Sequence, residues 1–312
     1  MATQRDTIGW IGIGRMGFAI AERLAKSGAD LTVWNRTRAK AEPLAARGAK
    51  IADRLVDLAA RDIVFVMVST WDDVREVVAG PQGLLSGARA PKLVVECSSI
   101  SLEGSAELRE LLAARGVALL AAPVSGNAKV IKAGKLSFVC SGPKSAYDAA
   151  LPWLRAIAPA TSYVGEGELS RIVKICHNVF LGVVTQSLAE ITVLAQKAGV
   201  PRHAFLDFMN QSVMGSTFSR YKSPAFVNLD FKVTFTPTLL RKDLDRGLDA
   251  ARRFEVPMPL ASLTRDLVQT LIGHGMDEED FAKLIVLQAM ASGLELAPEN
   301  VAVDDGLAEQ PR

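Results

Sequence analysis

Short apolar runs alternate with amphipathic stretches through the first half of the chain. Residues 7–13, 30–34, 63–68, 92–97, 117–120 and 136–140 are near-continuous runs of Val, Ile, Leu and small side chains. Between them, residues 16–27, 38–47, 72–78, 102–115 and 144–157 place apolar side chains three and four apart. Runs of the first kind fit strands buried on both faces, and stretches of the second kind fit the helices that cover them. The alternation predicts an α/β domain on a doubly wound parallel sheet.

The pattern changes after residue 166. Residues 168–198 lack proline and are apolar almost all round, through Ile172, Val173, Ile175, Val179, Phe180, Val183, Val184, Leu188 and Ile191. A helix of that kind is buried, and one this long runs through the middle of a domain. Gly199-Val200-Pro201 stops it, because glycine accepts the left-handed turn and proline cannot continue a helix. Helical periodicity returns at 202–210, 238–254, 258–272 and 278–291. The predicted division is an α/β domain over 1–166, an all-α domain over 167–296 built on the long central helix, and a frayed acidic tail over 297–312. The long helix is apolar on more faces than one small domain can cover, which predicts a homodimer or homotetramer formed through the helical domain.

With 49% hydrophobic and 22% charged residues, the 312-residue chain has material for two cores. Lys and Arg number 36 against 34 Asp and Glu, a net charge of +2, so no basic nucleic-acid surface covers the molecule. The basic run 241–253 is interleaved with Asp243, Asp245 and Asp249 and reads as a salt-bridged helix face. Cys97, Cys140 and Cys176 are too few and too scattered for a disulfide framework or a metal knuckle. His177, His203 and His274 form no ligand cluster with them, so no metal is expected. The polar first residues carry no secretory signal, and the apolar run 63–68 is far short of a membrane span. A soluble cytoplasmic protein with no nucleic-acid or membrane partner is expected.

Gly12-Ile13-Gly14-Arg15-Met16-Gly17 falls between the first strand and the first helix. There Gly12 permits the turn, Gly14 lets a pyrophosphate approach the backbone, and Gly17 lets the helix lie against the strand. The helix N-terminus offers free N–H groups and a positive dipole end to phosphate. This is the dinucleotide-binding arrangement of a Rossmann-type sheet. An NAD site usually has a carboxylate at the end of the second strand, for the ribose 2′-hydroxyl. Here that strand ends Val33-Trp34-Asn35-Arg36-Thr37. A guanidinium and a hydroxyl there welcome a 2′-phosphate, so NADP(H) is expected in preference to NAD(H).

Lys174, His177 and Asn178 stand at i, i+3 and i+4 on one face of the long helix. A lysine among apolar neighbours is costly to bury. Spacing alone leaves two readings: a snorkelling or salt-bridged lysine, or one whose pKa burial lowers until it exchanges a proton near neutrality. His177 reads more simply as a packed histidine, and Cys176 as a core residue and not a nucleophile.

Several motifs in order resemble the β-hydroxyacid dehydrogenase family, from Ile8 to about Leu296. They are the glycine turn with Asn35-Arg36-Thr37, Glu96-Cys97-Ser98-Ser99, the segment 122–127 ending Ser125-Gly126-Asn127, the segment 165–174 ending in Lys174, and Lys242-Asp243-Leu244. The resemblance implies an NAD(P)-dependent dehydrogenase or reductase acting on CH–OH groups of a small hydroxy acid or its semialdehyde. It implies that Lys174 relays the proton and that Asn178, one turn on, orients the substrate oxygen. It assigns Ser125, Gly126 and Asn127 to the substrate carboxylate, and counts Phe235 and Asp243, beside Lys242, among the substrate-binding residues. It places Val68, Ser69 and Thr70 along the cofactor groove, Ser99 near the nicotinamide ribose, and Lys242 over the cofactor.

The chain departs from the family pattern in three places. Asn127 replaces a glycine and is expected to narrow the substrate pocket or read a further polar group. Glu96 stands where the family usually has Asp. Lys174-x-x-His177-Asn178 is similar to the phosphogluconate branch, which would imply a larger sugar acid. That branch's oxidative decarboxylation needs an acid where this chain has Leu181. An imine reductase usually lacks the lysine, and a non-catalytic NADPH-binding protein is expected to have lost either the lysine or the carboxylate loop. No GxSxG hydrolase motif is present.

Overall fold

The structure, a computed structural model, describes residues 6–307. The chain divides into two compact units, 1–174 and 175–312, a boundary a little beyond that expected from the loss of strand patterning.

The first unit opens with β1 (Ile8–Ile11), α1 (Arg15–Lys26), β2 (Leu31–Trp34) and β3 (Lys50–Ile51). It continues with β4 (Ile63–Val66), α2 (Trp71–Ala79), β5 (Leu93–Glu96), α3 (Leu102–Ala113) and β6 (Ala118–Ala121). Among the described residues these six strands form one parallel sheet in the order β3-β2-β1-β4-β5-β6. The chain adds strands in one direction from β1 to β3, then returns to place β4 on the other side of β1. That reversal opens a crevice beyond the carboxyl ends of β1 and β4, where doubly wound sheets bind ligands. Two apolar layers flank the sheet: Ile20, Leu24, Leu44 and Phe65 belong to one, and Leu58, Val74, Val78 and Leu108 to the other.

Two sequence expectations change here. The stretch 38–47 is not an α-helix but two 3-10 turns, Arg38–Lys40 and Glu42–Arg47. Pro43 has no N–H to give and disfavours helical geometry at the residue before it. The apolar run at 136–140 becomes β8 (Ser137–Cys140) but does not join the main sheet. It lies in a three-stranded sheet with β7 (Val124–Ser125) and β9 (Ala160–Tyr163), antiparallel to the first and parallel to the second. The short α4 (Ala128–Lys132) and the longer α5 (Lys144–Ile157) separate these strands.

The 29-residue α6 (Leu169–Lys197) starts in the first unit and continues into the second. The second unit adds α7 (Arg202–Gln211), α8 (Thr217–Asn228), α9 (Pro237–Arg253), α10 (Pro259–Gly273) and α11 (Leu284–Ala291). Val179, Leu188, Ala189 and Val193 of α6 pack with Phe226, Leu240, Leu244 and Val268. By length and composition α6 is apolar enough to cross a membrane, yet half of its most apolar window is buried inside the fold. Phe180 and Leu194 on this helix are 67% and 69% exposed, and the reading of Cys176 as core is corrected, since it is exposed with them.

The segment from Ala297, read as fraying, is held as far as it is described. Glu299 accepts the backbone N–H groups of Arg202 and His203 at 2.7 and 3.0 Å, and so caps α7. Arg202, fully buried, donates to the carbonyls of Phe226, Val227 and Ala297. Residues 308–312 lie outside the described part of the chain.

Candidate active site

The glycine turn is built as its spacing requires. Gly12 has φ +100°, and a side chain there would strike the Met67 carbonyl. The Trp10 indole donates to the Gly12 carbonyl at 2.9 Å, and a methyl on Gly17 would collide with that same oxygen. Around Gly14, by contrast, a Cβ would meet only open space. The first turn of α1 has no side-chain cap and no acidic residue, so its N–H groups face the crevice ready for an anion.

Asn35 ties this turn to the next strand. Its Oδ1 accepts from the Ile13 N–H at 2.8 Å, and its Nδ2 donates to the Thr37 carbonyl at 2.8 Å. The crevice is a cavity of about 930 Å3, ample for a dinucleotide. Gly12, Ile13, Gly14, Arg15, Met16, Gly17, Asn35, Arg36, Thr37, Val68 and Ser69 all line it. Open space at Gly14, an uncapped helix start and the cation set of the walls all fit a nicotinamide dinucleotide.

The walls also carry residues that sequence reasoning missed. Lys40 and Arg54 add positive charge, and Asp53, Asp73 and Glu76 add negative charge. Arg36, 87% exposed at its side chain, has Asp73 Oδ1 at 3.6 Å from Nη1, and Arg38 pairs with Asp53 at 2.7 Å. The end of β2 is free of carboxylates, as read, but the first turn of α2 brings one to it. Thr70, Ser99 and Lys242 are not among the residues lining the cavity. Thr70 caps α2, its hydroxyl accepting the Asp73 N–H at 3.1 Å and donating to Asp73 Oδ2 at 2.8 Å. Ser99 is exposed just past β5, and Lys242 is exposed on α9 in the second unit.

Ser125 is half-buried at the end of β7, followed by Gly126 with φ +135° and Asn127. Asn127 acts locally, since its Oδ1 accepts the N–H groups of Lys129 and Val130 at 3.0 and 3.1 Å and caps α4. An asparagine in place of glycine thus supplies the cap of the helix that follows.

Lys174, half-buried, is the last residue of the first unit, and Asn178 follows one helical turn later. In the second unit Asn178 is buried and donates through Nδ2 to Asp243 Oδ2 at 2.6 Å, while its Oδ1 meets His177 Nδ1 at 2.9 Å. Asp243 therefore holds the carboxamide of Asn178, with Phe235 half-buried just ahead of the same helix α9. Among the described residues no group of three or more His, Cys, Asp or Glu gathers as metal ligands.

Known proteins are similar to this chain over most of its length. Residues 7–165 match the family profile described as the NAD binding domain of 6-phosphogluconate dehydrogenase. Residues 168–288 match that described as the NAD-binding of NADP-dependent 3-hydroxyisobutyrate dehydrogenase. The chain is 29% identical over 280 residues to glyoxylate/succinic semialdehyde reductase 2 of Arabidopsis thaliana, covering 89% of this chain and 78% of that one. It is 29% identical to the cytokine-like nuclear factor N-PAC of Homo sapiens over 88% of its own length, but spans only about half, 49%, of that protein. A crystal structure of 3-hydroxyisobutyrate dehydrogenase from Salmonella typhimurium is similar at a TM-score of 0.79 and 25% identity, over 90% of this chain and 99% of that one.

Proposed function

The chain belongs to the β-hydroxyacid dehydrogenase family, NAD(P)-dependent enzymes acting on CH–OH groups, and from that premise we propose an NADP(H)-preferring enzyme that interconverts a small hydroxy acid and its semialdehyde or keto form. The observation that carries this reading is the crevice over the glycine turn, whose rim presents Arg36, Thr37, Lys40 and Arg54. Guanidinium and ammonium groups there suit a 2′-phosphate better than a bare ribose.

Gly12–Gly17 and the start of α1 hold the pyrophosphate, Arg36 and Thr37 the adenosine end, and Val68 and Ser69 the groove wall, with Thr70 next in the chain as the cap of α2; the family resemblance adds Ser99 and Lys242 toward the nicotinamide half. The bound cofactor supplies or accepts a hydride. The protein's own residues do the rest. The Ser125 hydroxyl and the backbone N–H groups of Gly126 and Asn127 bind the substrate carboxylate. Lys174 Nζ gives a proton to the substrate oxygen in reduction and removes it in oxidation. The carboxamide of Asn178, held by Asp243, fixes that oxygen's direction, and Phe235 shapes the apolar side of the site. Leu181 packs with the apolar core of the second unit and offers no acid for a decarboxylation.

The working form in this reading is a homodimer or homotetramer built on the outer face of α6, and three free thiols suit a reducing cytoplasm. The test is steady-state oxidation of NADPH, with NADH beside it, against glyoxylate, succinic semialdehyde, tartronate semialdehyde and methylmalonate semialdehyde. Turnover with NADPH above that with NADH is expected on at least one. Lys174→Ala is expected to lose about 10²–10⁴-fold in kcat, the usual range for a removed acid–base group. Faster turnover with NADH removes the NADP assignment, and near-normal turnover in Lys174→Ala removes the proton relay.

A further inference from the structure

Within the first unit lies a buried ion pair that the proposed chemistry does not use. Glu96 ends β5 with no exposed surface, and Arg171, in the first turns of α6, is 2% exposed. Arg171 Nη2 donates to Glu96 Oε2, Nη1 to the Ser98 carbonyl at 2.8 Å, and Nε to the Ser105 hydroxyl at 3.2 Å. Glu96 Oε1 accepts the Ser98 N–H at 2.7 Å. The backbone of Ser98 is thus gripped at both ends, its N–H by the carboxylate and its carbonyl by the guanidinium. Its hydroxyl in turn accepts the N–H of Val68, which lines the cofactor cavity, at 2.9 Å. On the outer side, the Ser105 hydroxyl donates to Glu168, whose other oxygen accepts from Arg109 Nε at 2.8 Å.

Apolar side chains of similar volume would fill this space without the cost of desolvating two charges. Charges in a buried place fix direction, and the directions here converge on one set of parts. Val68 is on the cavity wall, Ser99 follows the gripped residue, and Lys174 is one turn beyond Arg171 on the same helix. A helix turns as a rigid rod. A rotation of about 10° about its axis swings a side-chain tip at a radius of about 6 Å by about 1 Å. A misplacement of that size costs on the order of 100-fold in rate.

We propose that Glu96 and Arg171 are positioning residues, a clamp that sets the rotation of α6, and with it Lys174, against the Ser98–Ser99 segment that holds Val68 on the wall of the cofactor cavity. The clamp rests on the reading of Lys174 as the proton relay. It acts through other residues and touches no reacting atom.

The test uses Glu96→Gln/Arg171→Met in the full chain, a neutral pair of similar volume that leaves no unpaired buried charge. Amide hydrogen exchange is measured with NADPH present, together with NADPH affinity by fluorescence and NADPH oxidation with glyoxylate and succinic semialdehyde. Faster exchange is expected in peptides covering residues 66–70, 97–100 and 169–175, with the helices of the second unit unchanged. A fall of about 10- to 100-fold in kcat is expected, while the NADPH Kd stays within about threefold because the phosphate-binding turn is untouched. Wild-type exchange in those peptides with wild-type kcat overturns the clamp. Arg171→Lys keeps a charge for Glu96 but cannot also hold the Ser98 carbonyl with the same fork. A fall in its kcat is expected, and full activity there overturns the proposal even if the double variant folds poorly. Lys174→Ala, assayed alongside, separates the two readings. Near-normal turnover in it removes the lysine assignment, whereas an inactive Lys174→Ala beside a fully active double variant removes the clamp alone.

Discussion

Arg36 and Asp73 face each other across 3.6 Å at the rim of the cavity, with Arg36 largely in water. An exposed pair of this kind is worth roughly 0–1 kcal/mol, so little is lost when the guanidinium turns to another anion. A 2′-phosphate is the stronger partner, since a guanidinium can meet it with paired charge-assisted hydrogen bonds. Asp73 then stands near the phosphate as a like charge. Asp73→Asn keeps an oxygen for the Thr70 N–H and removes that charge. It is expected to tighten NADPH binding by about two- to fivefold at low salt, less at high salt, and to leave NADH unchanged. Arg36→Ala is expected to weaken NADPH about tenfold or more, again sparing NADH. Fluorescence titration with both cofactors decides. Equal NADPH affinity in Arg36→Ala and the parent removes Arg36 from the phosphate site. Arg36 is legible in the sequence because it directly follows β2 and the glycine turn fixes where β2 must lie. Asp73 is not, because it arrives from the helix after β4. Only the strand order brings the ends of β2 and β4 to either side of β1.

Elements were legible where their pattern was long. The 29 residues of α6 and five of the six parallel strands of the main sheet follow from apolar patterning, whereas the two-residue β3 at its edge does not. What escaped was short or chemically ambiguous. The two residues of β7 are too few to show alternation, and β8 reads like any buried strand until its partners are known. Helix α8 was hidden by Ser216, Thr217, Ser219, Ser223 and Pro224, although Ser216 is its N-cap. The pairing of α6 with α9 was equally hidden. A methyl group on Gly247 would collide with Val179 Cγ2, while one on Gly182 meets Leu240 Cδ1 at 3.2 Å. Val179 is branched, stiff and 4% exposed, so it cannot yield as the end of a leucine can. Gly247→Ala gains about 1 kcal/mol in helix propensity but overpacks the crossing at a cost of about 1–3 kcal/mol. Net destabilisation is expected, with Asp243, one turn away, drawn from its 2.6 Å contact with Asn178 and kcat lowered. Gly182→Ala is expected to be neutral or stabilising. Urea unfolding of both variants checks this, and equal stabilities mean that the two helices do not depend on Gly247 for their approach.

For the whole molecule, the outer face of α6 raises the question of assembly. Cys176, Phe180, Ile191 and Leu194 recur at helical spacing along it, all exposed in the single chain. An apolar stripe of this length on a monomer marks an interaction surface, and a helix meeting its own copy about a twofold axis covers it from both sides at once. The cysteines report on this directly. Burial pushes the Cys140 thiol up to about 12 and the Cys97 thiol well above its ordinary value, so neither forms thiolate near neutral pH. Cys176 is the thiol that water reaches in the single chain. In a dimer packed through α6 it becomes protected as well. Light scattering is therefore expected to give at least twice the chain mass of 33.4 kDa, with all three thiols slow toward a disulfide reagent at about pH 8. Leu194→Asp places a charge in that stripe and is expected to yield a monomer whose Cys176 reacts at once while Cys97 and Cys140 stay silent until the chain unfolds. A parent protein that scatters as a monomer and labels rapidly at Cys176 would show that the stripe remains in water and that the long helix is apolar for a reason other than assembly.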